Sequence, residues 1–291
     1  MNKRELIAIL ESIEIVKEPK NAEITAFKSV EDGCEYDVWL VFDGERNYVL
    51  KKAKKFEIAV FSAYFNGEIY GAPRFFGSKT IDGHPYFLME YVEGNDACRC
   101  ERDGLIKVLD ALISLQEKYW NTTKTGGLGF EEALIGRRNR GKYLNDYDIE
   151  RAYKCYLREF ETLPKTLCHD DLLPFNVIVS EDRAVLIDWE IAGILPYPTS
   201  LVRFIAHSGE SESGLFYLKD VDKAFAIDYY YENLIKSKGI DYKDYRRHID
   251  LFLLYEYCEW IMLGNKYEDA DRNLFDMYMK KAKAQLKIIN Q

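Results

Sequence analysis

The sequence predicts an α+β protein of two lobes, a smaller lobe built on an antiparallel sheet and a larger lobe that is mainly helical. Two observations support this prediction. Short β-like runs fill roughly the first ninety residues, and long helical periods dominate after Gly94. A chain of 291 residues is also long enough to bury two cores. We therefore predict lobes at 1–92 and 93–291, with a hinge at the end of the first.

The first lobe contains four runs with apolar alternation or with β-branched and aromatic residues, as strands have. They are Ala22–Val30, Glu35–Phe42, Arg46–Lys51 and Pro85–Val92. Turn sequences such as Asp43-Gly44 separate the runs. One amphipathic helix interrupts them, from Lys54 to about Asn66, and Gly67 ends it. The prediction for this lobe is a small sheet that carries one helix.

The second lobe shows apolar residues at helical spacing over five long segments. They are Glu101–Trp120, Lys142–Glu161, Val221–Lys238, Tyr242–Leu263 and Asp269–Ile289. A compact strand-rich stretch, Leu167 to Trp189, lies between the second and third segments. We therefore predict a helical lobe with one embedded hairpin.

Composition excludes several classes of protein. Apolar residues make up 47% of the chain and charged residues 31%, which is typical of a globular protein. The formal charge of −9 disfavours nucleic acid as a partner and favours cationic or metal-bridged ligands. Acidic residues interrupt the apolar residues near the start, and no stretch reaches the ~18 apolar residues that a spanning helix needs. We expect a cytoplasmic protein without a membrane partner.

The segment from Leu167 to Asn176, with the strand-like run that ends at Asp188, carries the most chemical information. Phosphoryl transfer needs a carboxylate near the attacking hydroxyl and oxygen ligands for magnesium. Asp171, Asn176 and Asp188 have the required types and order. A turn network of satisfied polar side chains is the structural alternative. A nucleophilic Cys168–His169 site is disfavoured, because adjacent strand residues point to opposite faces.

This segment resembles the His-Gly-Asp-x-x-x-x-Asn motif, followed by Ile-Asp-Trp-Glu, of aminoglycoside phosphotransferases, choline kinases and related small-molecule kinases. The resemblance extends from about residue 24 to 206. It implies a protein-kinase-like fold, with Asp171 as catalytic base and His169 orienting the loop. It also implies that Asn176 and Asp188 bind Mg²⁺, with Asp188 as the main metal carboxylate.

Two departures from the family pattern affect the subfamily more than the chemistry. Asp170 stands where the family more often has Gly. The segment Pro196–Leu201 stands where the family has an Asp-containing segment, whose Asp is expected to be a structural anchor.

The resemblance implies a phosphate-binding lysine in the first lobe and an acidic residue that holds it. Lys51 ends a predicted strand, and Glu57 follows in the predicted helix, with Glu68 as the substitute. An ion pair between Lys51 and Glu57 would direct the ammonium at the α- and β-phosphates of ATP or GTP. The structural alternative for this lysine-rich segment is a solvated helix start.

Two backbone segments are the candidates for holding the rest of the nucleotide. The turn Ser29–Cys34, which contains Gly33, lies where the family's phosphate-covering loop lies, although an ordinary hairpin turn is the alternative. Neither GxGxxG nor GxxxxGK[ST] is present. After Met89 the chain becomes polar, so the carbonyl of Glu90 and the amide of Val92 are predicted to bind adenine at the hinge.

The acceptor is predicted to bind in the helical lobe, and three carboxylates are candidates for contacting it: Glu190, Glu256 and Glu259. We predict transfer of the γ-phosphoryl group to a hydroxyl of a small, cationic molecule, aminoglycoside-like antibiotics first. Choline, ethanolamine or another metabolite is the second choice, and a non-catalytic nucleotide-binding module is the third. The basic run that begins at Arg137 is predicted to be a solvated helix start.

Overall fold

The computed structural model describes residues 3–28, 33–54, 56–67, 69–208, 215–267 and 270–290. It confirms the predicted fold class, an antiparallel sheet followed by a larger helical lobe. The chain leaves the first sheet after Glu90, and its next strand pairs with a strand of the helical lobe. The chain therefore changes sheets between Glu90 and Asn95, and the lobe boundary at residue 92 stays a prediction.

The first lobe is a five-stranded sheet of order β1-β2-β3-β5-β4 with two helices. Its strands are β1 (Glu23–Lys28), β2 (Glu35–Phe42), β3 (Asn47–Lys52), β4 (Phe75–Ile81) and β5 (His84–Glu90). Its helices are α1 (Lys3–Ile13) and α2 (Glu57–Tyr64). Neither α1 nor β4 was predicted from the sequence, and the sheet carries two helices where one was predicted.

The two faces of this sheet have different partners, because side chains alternate along each strand. Tyr48 and Leu50 of β3 pack in the apolar cluster that contains Leu6 and Leu10 of α1. Val49 of β3 packs on the opposite face, in the cluster that contains α2 and the helical lobe. Lys51 has the same parity as Val49, so β3 directs it toward α2 and the second lobe.

The second lobe contains seven α-helices within the described residues. They are α3 (Arg102–Lys118), α4 (Phe130–Arg140), α5 (Tyr147–Thr162), α6 (Pro198–Ala206), α7 (Asp220–Tyr230), α8 (Tyr242–Lys266) and α9 (Arg272–Ile289). A short π turn and a 3₁₀ turn continue α7 to Lys238. Across the part of the chain that the structure covers, no helix has both the length and the apolar content to cross a membrane.

The short strands of this lobe form two small sheets. They are β6 (Asn95–Asp96), β7 (Lys165–His169), β8 (Val177–Val179), β9 (Ala184–Leu186) and β10 (Ala192–Pro196). One sheet has the order β6-β8-β9, and in the other β10 pairs with β7. These sheets hold both ends of the segment that carries the predicted catalytic residues.

Capping side chains explain where two of the predicted helices begin. Asp146 accepts hydrogen bonds from the amides of Asp148 and Ile149, so α5 begins at Tyr147 rather than at Lys142. Asp271 likewise caps α9, which begins at Arg272; the predicted start, Asp269, lies outside the described residues.

The prediction of a solvated helix start at Arg137 is wrong. The basic residues lie in the last turn of α4, where cations are favoured by the helix dipole. The Arg137 side chain is 1% exposed.

The two lobes meet through α2, which packs against the first sheet on one side and against the second lobe on the other. The ring of Phe65, just after α2, lies 4.6 Å from that of Trp189, and the ring of Tyr64 lies 5.2 Å from that of Tyr119. A Cβ at Gly127 would lie 2.1 Å from the Ala192 carbonyl oxygen, so only glycine allows this approach. The packing brings Lys51 opposite the loop that contains Asp188.

Candidate active site

The segment between β7 and β8 is a tight loop held by its own backbone. Both the amide of Leu173 and the Asn176 side-chain Nδ2 donate to the carbonyl oxygen of Asp171, each at 2.8 Å. The amide of Asn176 donates to the carbonyl of Leu173, also at 2.8 Å. The loop therefore fixes Asp171 and Asn176 relative to each other before any ligand binds.

His169 is fully buried at the end of β7 and connects three parts of the site. Its Nε2 lies 2.8 Å from the carbonyl oxygen of Ile187, and the Asp171 amide donates to its Nδ1 at 3.3 Å. Burial lowers the pKa of His169, so the ring is neutral, with the proton on Nε2. The ring ties the Asp171 loop to the residue before Asp188, and its orienting role in catalysis stays a prediction.

Ser200 anchors the same loop from α6. Its hydroxyl accepts a hydrogen bond of 2.8 Å from the backbone amide of His169. Ser200 lies within the Pro196–Leu201 segment, where the family's anchoring Asp was expected. In this segment a neutral hydroxyl therefore anchors the backbone of the loop.

Asp188 follows β9 in a left-handed backbone conformation, with φ at 60°. Its Oδ1 accepts a hydrogen bond of 2.6 Å from Lys51, and its side chain is 33% exposed. Although burial opposes ionisation, Lys51 and Lys54 hold the pKa of Asp188 below its ordinary value. The Ile187 amide donates to the Asn176 carbonyl at 2.8 Å, which places Asn176 beside this carboxylate.

These two residues fit the donor set for Mg²⁺, which prefers one or two protein oxygen ligands and completes its shell with phosphate and water. Asp188 offers an ionised carboxylate. Asn176 uses its Nδ2 in the bond to Asp171, so its Oδ1 is the atom that can face a cation.

Lys51 and Glu57 form the predicted ion pair, at 2.7 Å, in the first lobe. Glu57 is 1% exposed and also accepts the Lys54 amide at 3.0 Å. Burial raises the pKa of Glu57 even though Lys51 opposes the shift. Lys51 therefore lies between the carboxylates of Glu57 and Asp188, and so connects the two lobes.

Asp171 is bonded to an arginine that was not predicted to belong to the site. Arg203 of α6 donates to Asp171 Oδ1 through Nη2 at 2.7 Å and through Nε at 3.2 Å. Its Nη1 donates to Glu256 and Glu259, each at 2.9 Å. His207 Nε2 lies 2.9 Å from Glu256. Although burial opposes charge on Arg203, the carboxylates raise its pKa well above the ordinary value.

The three predicted substrate carboxylates are all paired with basic side chains. Glu190 lies 2.8 Å from the Lys54 ammonium, and Glu259 bonds to Arg140 as well as to Arg203. Glu256 is only 4% exposed. Their contact with substrate remains a prediction, whereas their ion pairs with Lys54, Arg140 and Arg203 are features of the structure.

Asp170, the unusual residue of the motif, forms an ion pair of 2.5 Å with Arg137 of α4. Arg137 also donates to the Tyr156 hydroxyl at 2.9 Å and lies 4.4 Å from the centre of the Phe160 ring. Asp170 therefore points away from Asp171 and into the helical core. Cys168 is buried too, and burial raises the pKa of its thiol to about 12, which disfavours the alternative thiolate nucleophile.

The face of the first sheet that carries Lys51 also carries apolar side chains. Leu40 and Met89 are the partners of Val49 on the two neighbouring strands, so all three share one face with Lys51. Glu90 is the last residue of β5, and Val92 follows in the hinge. Their adenine-binding role remains a prediction.

The predicted phosphate loop is described only in part. Ser29 lies outside the described residues, as does Glu68, the substitute for Glu57. Gly33 is described and has φ at 70°, a conformation that favours glycine.

The two-lobed fold, together with Lys51 and its bonds to Glu57 and Asp188, defines a protein-kinase-like phosphotransferase. The sequence profile of the phosphotransferase enzyme family matches residues 26–231. The chain belongs to this family and is a small-molecule kinase. A search among curated proteins finds no matching sequence.

Solved structures with the same fold include two choline kinase relatives. A choline/ethanolamine kinase family protein from Mesorhizobium loti has a TM-score of 0.64 and 15% identity, over 98% of this chain and 95% of that one. Choline kinase from Cryptosporidium parvum has a TM-score of 0.63 and 11% identity, over 98% and 97%. An aminoglycoside phosphotransferase from Alicyclobacillus acidocaldarius has a TM-score of 0.60 and 13% identity, over 98% and 95%. At these identities the comparisons show the fold alone.

Proposed function

We propose that this kinase transfers the γ-phosphoryl group of ATP or GTP to a hydroxyl of a small molecule, with Mg²⁺ as its metal. The observation that carries the proposal is the position of the Lys51 ammonium, 2.7 Å from Glu57 and 2.6 Å from Asp188. A buried lysine held by a helix glutamate and facing an aspartate across the lobes matches the phosphate-binding arrangement of kinases.

In this proposal Lys51 binds the α- and β-phosphates, and the turn at Gly33 covers them. Asp188 and Asn176 would hold Mg²⁺, which supplies positive charge against the β- and γ-phosphate oxygens when it is bound. The face that carries Val49 and Met89 accepts the adenine ring. The Glu90 carbonyl and the Val92 amide are its expected hydrogen-bond partners.

Asp171 is proposed to accept a hydrogen bond from the acceptor hydroxyl, to orient its attack and to take its proton late in the transfer. His169 and Asn176 fix the backbone on either side of this carboxylate. Arg203 fixes the carboxylate itself through Oδ1. The second carboxylate oxygen has no hydrogen bond within the described residues that would compete with a hydroxyl.

The charges around Asp171 limit the choice of acceptor. Aminoglycoside-like antibiotics rank first on sequence, and choline or ethanolamine second. A polycation requires several available carboxylates, yet Glu190, Glu256 and Glu259 are each paired with lysine or arginine. The geometry therefore favours acceptors with few positive charges over polycations.

The experiment that tests this function is Asp171→Asn, with Asp182→Asn as the control because Asp182 is an exposed carboxylate in the β8–β9 turn. ADP release is measured with a panel of hydroxyl acceptors, and Mg-ATP affinity is measured by calorimetry. We expect Asp171→Asn to lower turnover by about 10²–10⁴-fold, as loss of a general base does, with unchanged Mg-ATP affinity. Asparagine keeps an oxygen for Arg203, so the fold should persist.

A wild-type protein that binds Mg-ATP but shows neither slow hydrolysis nor transfer would contradict the proposal in favour of a non-catalytic nucleotide-binding module. Loss of nucleotide binding in Asp171→Asn would instead indicate a structural role for this residue.

A further inference from the structure

A cavity of about 410 Å³ lies in the helical lobe, beside the arginine that bonds to Asp171. Arg203, which bonds to Asp171, and Leu173, two residues after it, both line this cavity. The volume falls within the ~300–1,000 Å³ typical of ligand pockets. The other walls come from α8, α9 and the segment before α7, so the cavity is separate from the nucleotide surface of the first lobe.

The walls of this cavity are mainly apolar and aromatic. They include Phe216, Trp260, Leu274, Met277 and Tyr278. The rings of Trp260 and Tyr278 stack, with centres 5.5 Å apart and planes at 13°. The Tyr278 hydroxyl lies 2.7 Å from His207 Nδ1, so its polar atom already has a partner. A ligand in this cavity would therefore contact carbon surfaces more than polar groups.

Positive charge is already present in the wall of the cavity and at one of its aromatic rings. Arg203 is a permanent cation in its wall, and its donors are directed to Asp171, Glu256 and Glu259. The Lys281 ammonium lies 5.4 Å from the centre of the Tyr278 ring, although Lys281 is not among the residues that line the cavity. An ammonium ligand would meet carboxylates that are already paired and an aromatic ring that already has a cation.

We propose that this cavity is the acceptor pocket, and that its acceptor is an alcohol with a compact apolar or aromatic body and no positive charge near the hydroxyl. The proposal rests on the proposed phosphotransfer and specifies its substrate class. The apolar body fills the space between Trp260, Met277 and Leu173, and the hydroxyl reaches the free side of the Asp171 carboxylate.

Three probes distinguish the possible acceptor classes: 2-phenylethanol, choline and kanamycin. Saturation-transfer NMR measures their binding to the full chain with Mg-ADP, and ADP release measures turnover with Mg-ATP. We expect 2-phenylethanol to bind, and its kcat/KM to exceed that of ethanol by at least about tenfold, since apolar pockets discriminate ~10–200-fold per methylene-sized change. Choline and kanamycin should be poorer than 2-phenylethanol in both measurements.

Met277→Trp should fill the pocket, raise the KM for 2-phenylethanol at least tenfold and leave Mg-ATP affinity unchanged. Asp276→Trp is the matched control, because it adds the same side chain at an exposed position of α9. Preferential binding of choline or kanamycin, no binding of 2-phenylethanol, or an unchanged KM in a folded Met277→Trp protein would overturn the pocket assignment. Turnover of another acceptor would leave the kinase function intact, whereas loss of Mg-ATP binding in the wild type would refute the function itself.

Discussion

The ion pair between Asp170 and Arg137 should make a large contribution to stability and a small one to catalysis. The Arg137 side chain is 1% exposed and that of Asp170 is 12% exposed, so both charges are largely removed from water. In Asp170→Asn the arginine keeps its bond to the Tyr156 hydroxyl and its contact with Phe160, but it loses its only charge partner among the described residues. A buried cation without a carboxylate is the expected consequence.

Removing one partner of a buried ion pair costs about 3–5 kcal/mol. With an unfolding entropy of about 2.1 cal/mol/K per residue, this loss lowers the Tm of a 291-residue chain by roughly 5–8 °C. Mg-ATP affinity should change little, because Asp170 points into the helical core rather than toward Asp188. The sequence alone predicts that Asp170→Asn costs little turnover compared with Asp171→Asn, since the family often has Gly at position 170, and that expectation is separate from the loss of stability.

Differential scanning calorimetry of four variants tests this reasoning. Glu161→Gln breaks the exposed Arg138–Glu161 pair and should shift Tm by less than about 2 °C, because surface pairs contribute ~0–1 kcal/mol. Arg137→Met alone should destabilise, and Arg137→Met combined with Asp170→Asn should recover part of the loss, since no unpaired charge remains. A Tm for Asp170→Asn that matches that of Glu161→Gln would refute the argument.

Three further predictions concern the rest of the site. Asp188→Ala should abolish the magnesium dependence of ATP affinity in titrations with and without Mg²⁺, whereas Asp182→Ala should keep it; an unchanged dependence in Asp188→Ala would contradict the metal assignment. Ser200→Ala leaves the buried His169 amide without its acceptor, so chemical denaturation should show a loss of about 1–3 kcal/mol. Although burial opposes it, Arg203 holds the pKa of Glu256 at about 2, below the ordinary 4.5, so its contribution to stability is present above pH 4.5 and disappears as the pH falls toward 2. Glu256→Gln should therefore flatten the fall in Tm between pH 5 and 3, and an equally steep fall would contradict the pairing.

Elements with strong local signals were predicted well. The strand Glu35–Phe42 has the predicted bounds, and α8 begins at the predicted Tyr242. Helix α1 is not among the predicted elements, although Leu6, Ile9 and Leu10 have helical spacing. Strand β4 was missed because a register shift near Gly77 interrupts its alternation.

In the candidate site, the residues that are close in the sequence were predicted, and the partners that are distant in the sequence were not. His169, Asp171 and Asn176 lie within one short loop, so their order in the sequence already determines their proximity. The pairing of Arg203 with Asp171 joins residues 32 positions apart, and that of Arg137 with Asp170 joins residues 33 apart. A basic residue in a sequence carries no sign of burial, so Arg137 was predicted to be solvated and no role was predicted for Arg203. The signal that could have found Arg137 is Asp170 itself, because an extra carboxylate in a buried loop requires a cation.

The ion pairs of the helical lobe weaken the link between its acidic residues and a cationic substrate. Glu256 and Glu259 were candidates for binding a cationic acceptor, because a sequence shows its carboxylates but not the cations that pair with them. In the folded chain Arg203 forms an ion pair with each of these two carboxylates, and Arg140 forms another with Glu259. These carboxylates compensate the cation that holds Asp171, and the cavity beyond them is lined by Trp260, Met277 and other apolar side chains. We therefore propose that the acidic residues near Asp171 stabilise the position of its carboxylate, while the shape and apolar character of the cavity select the acceptor.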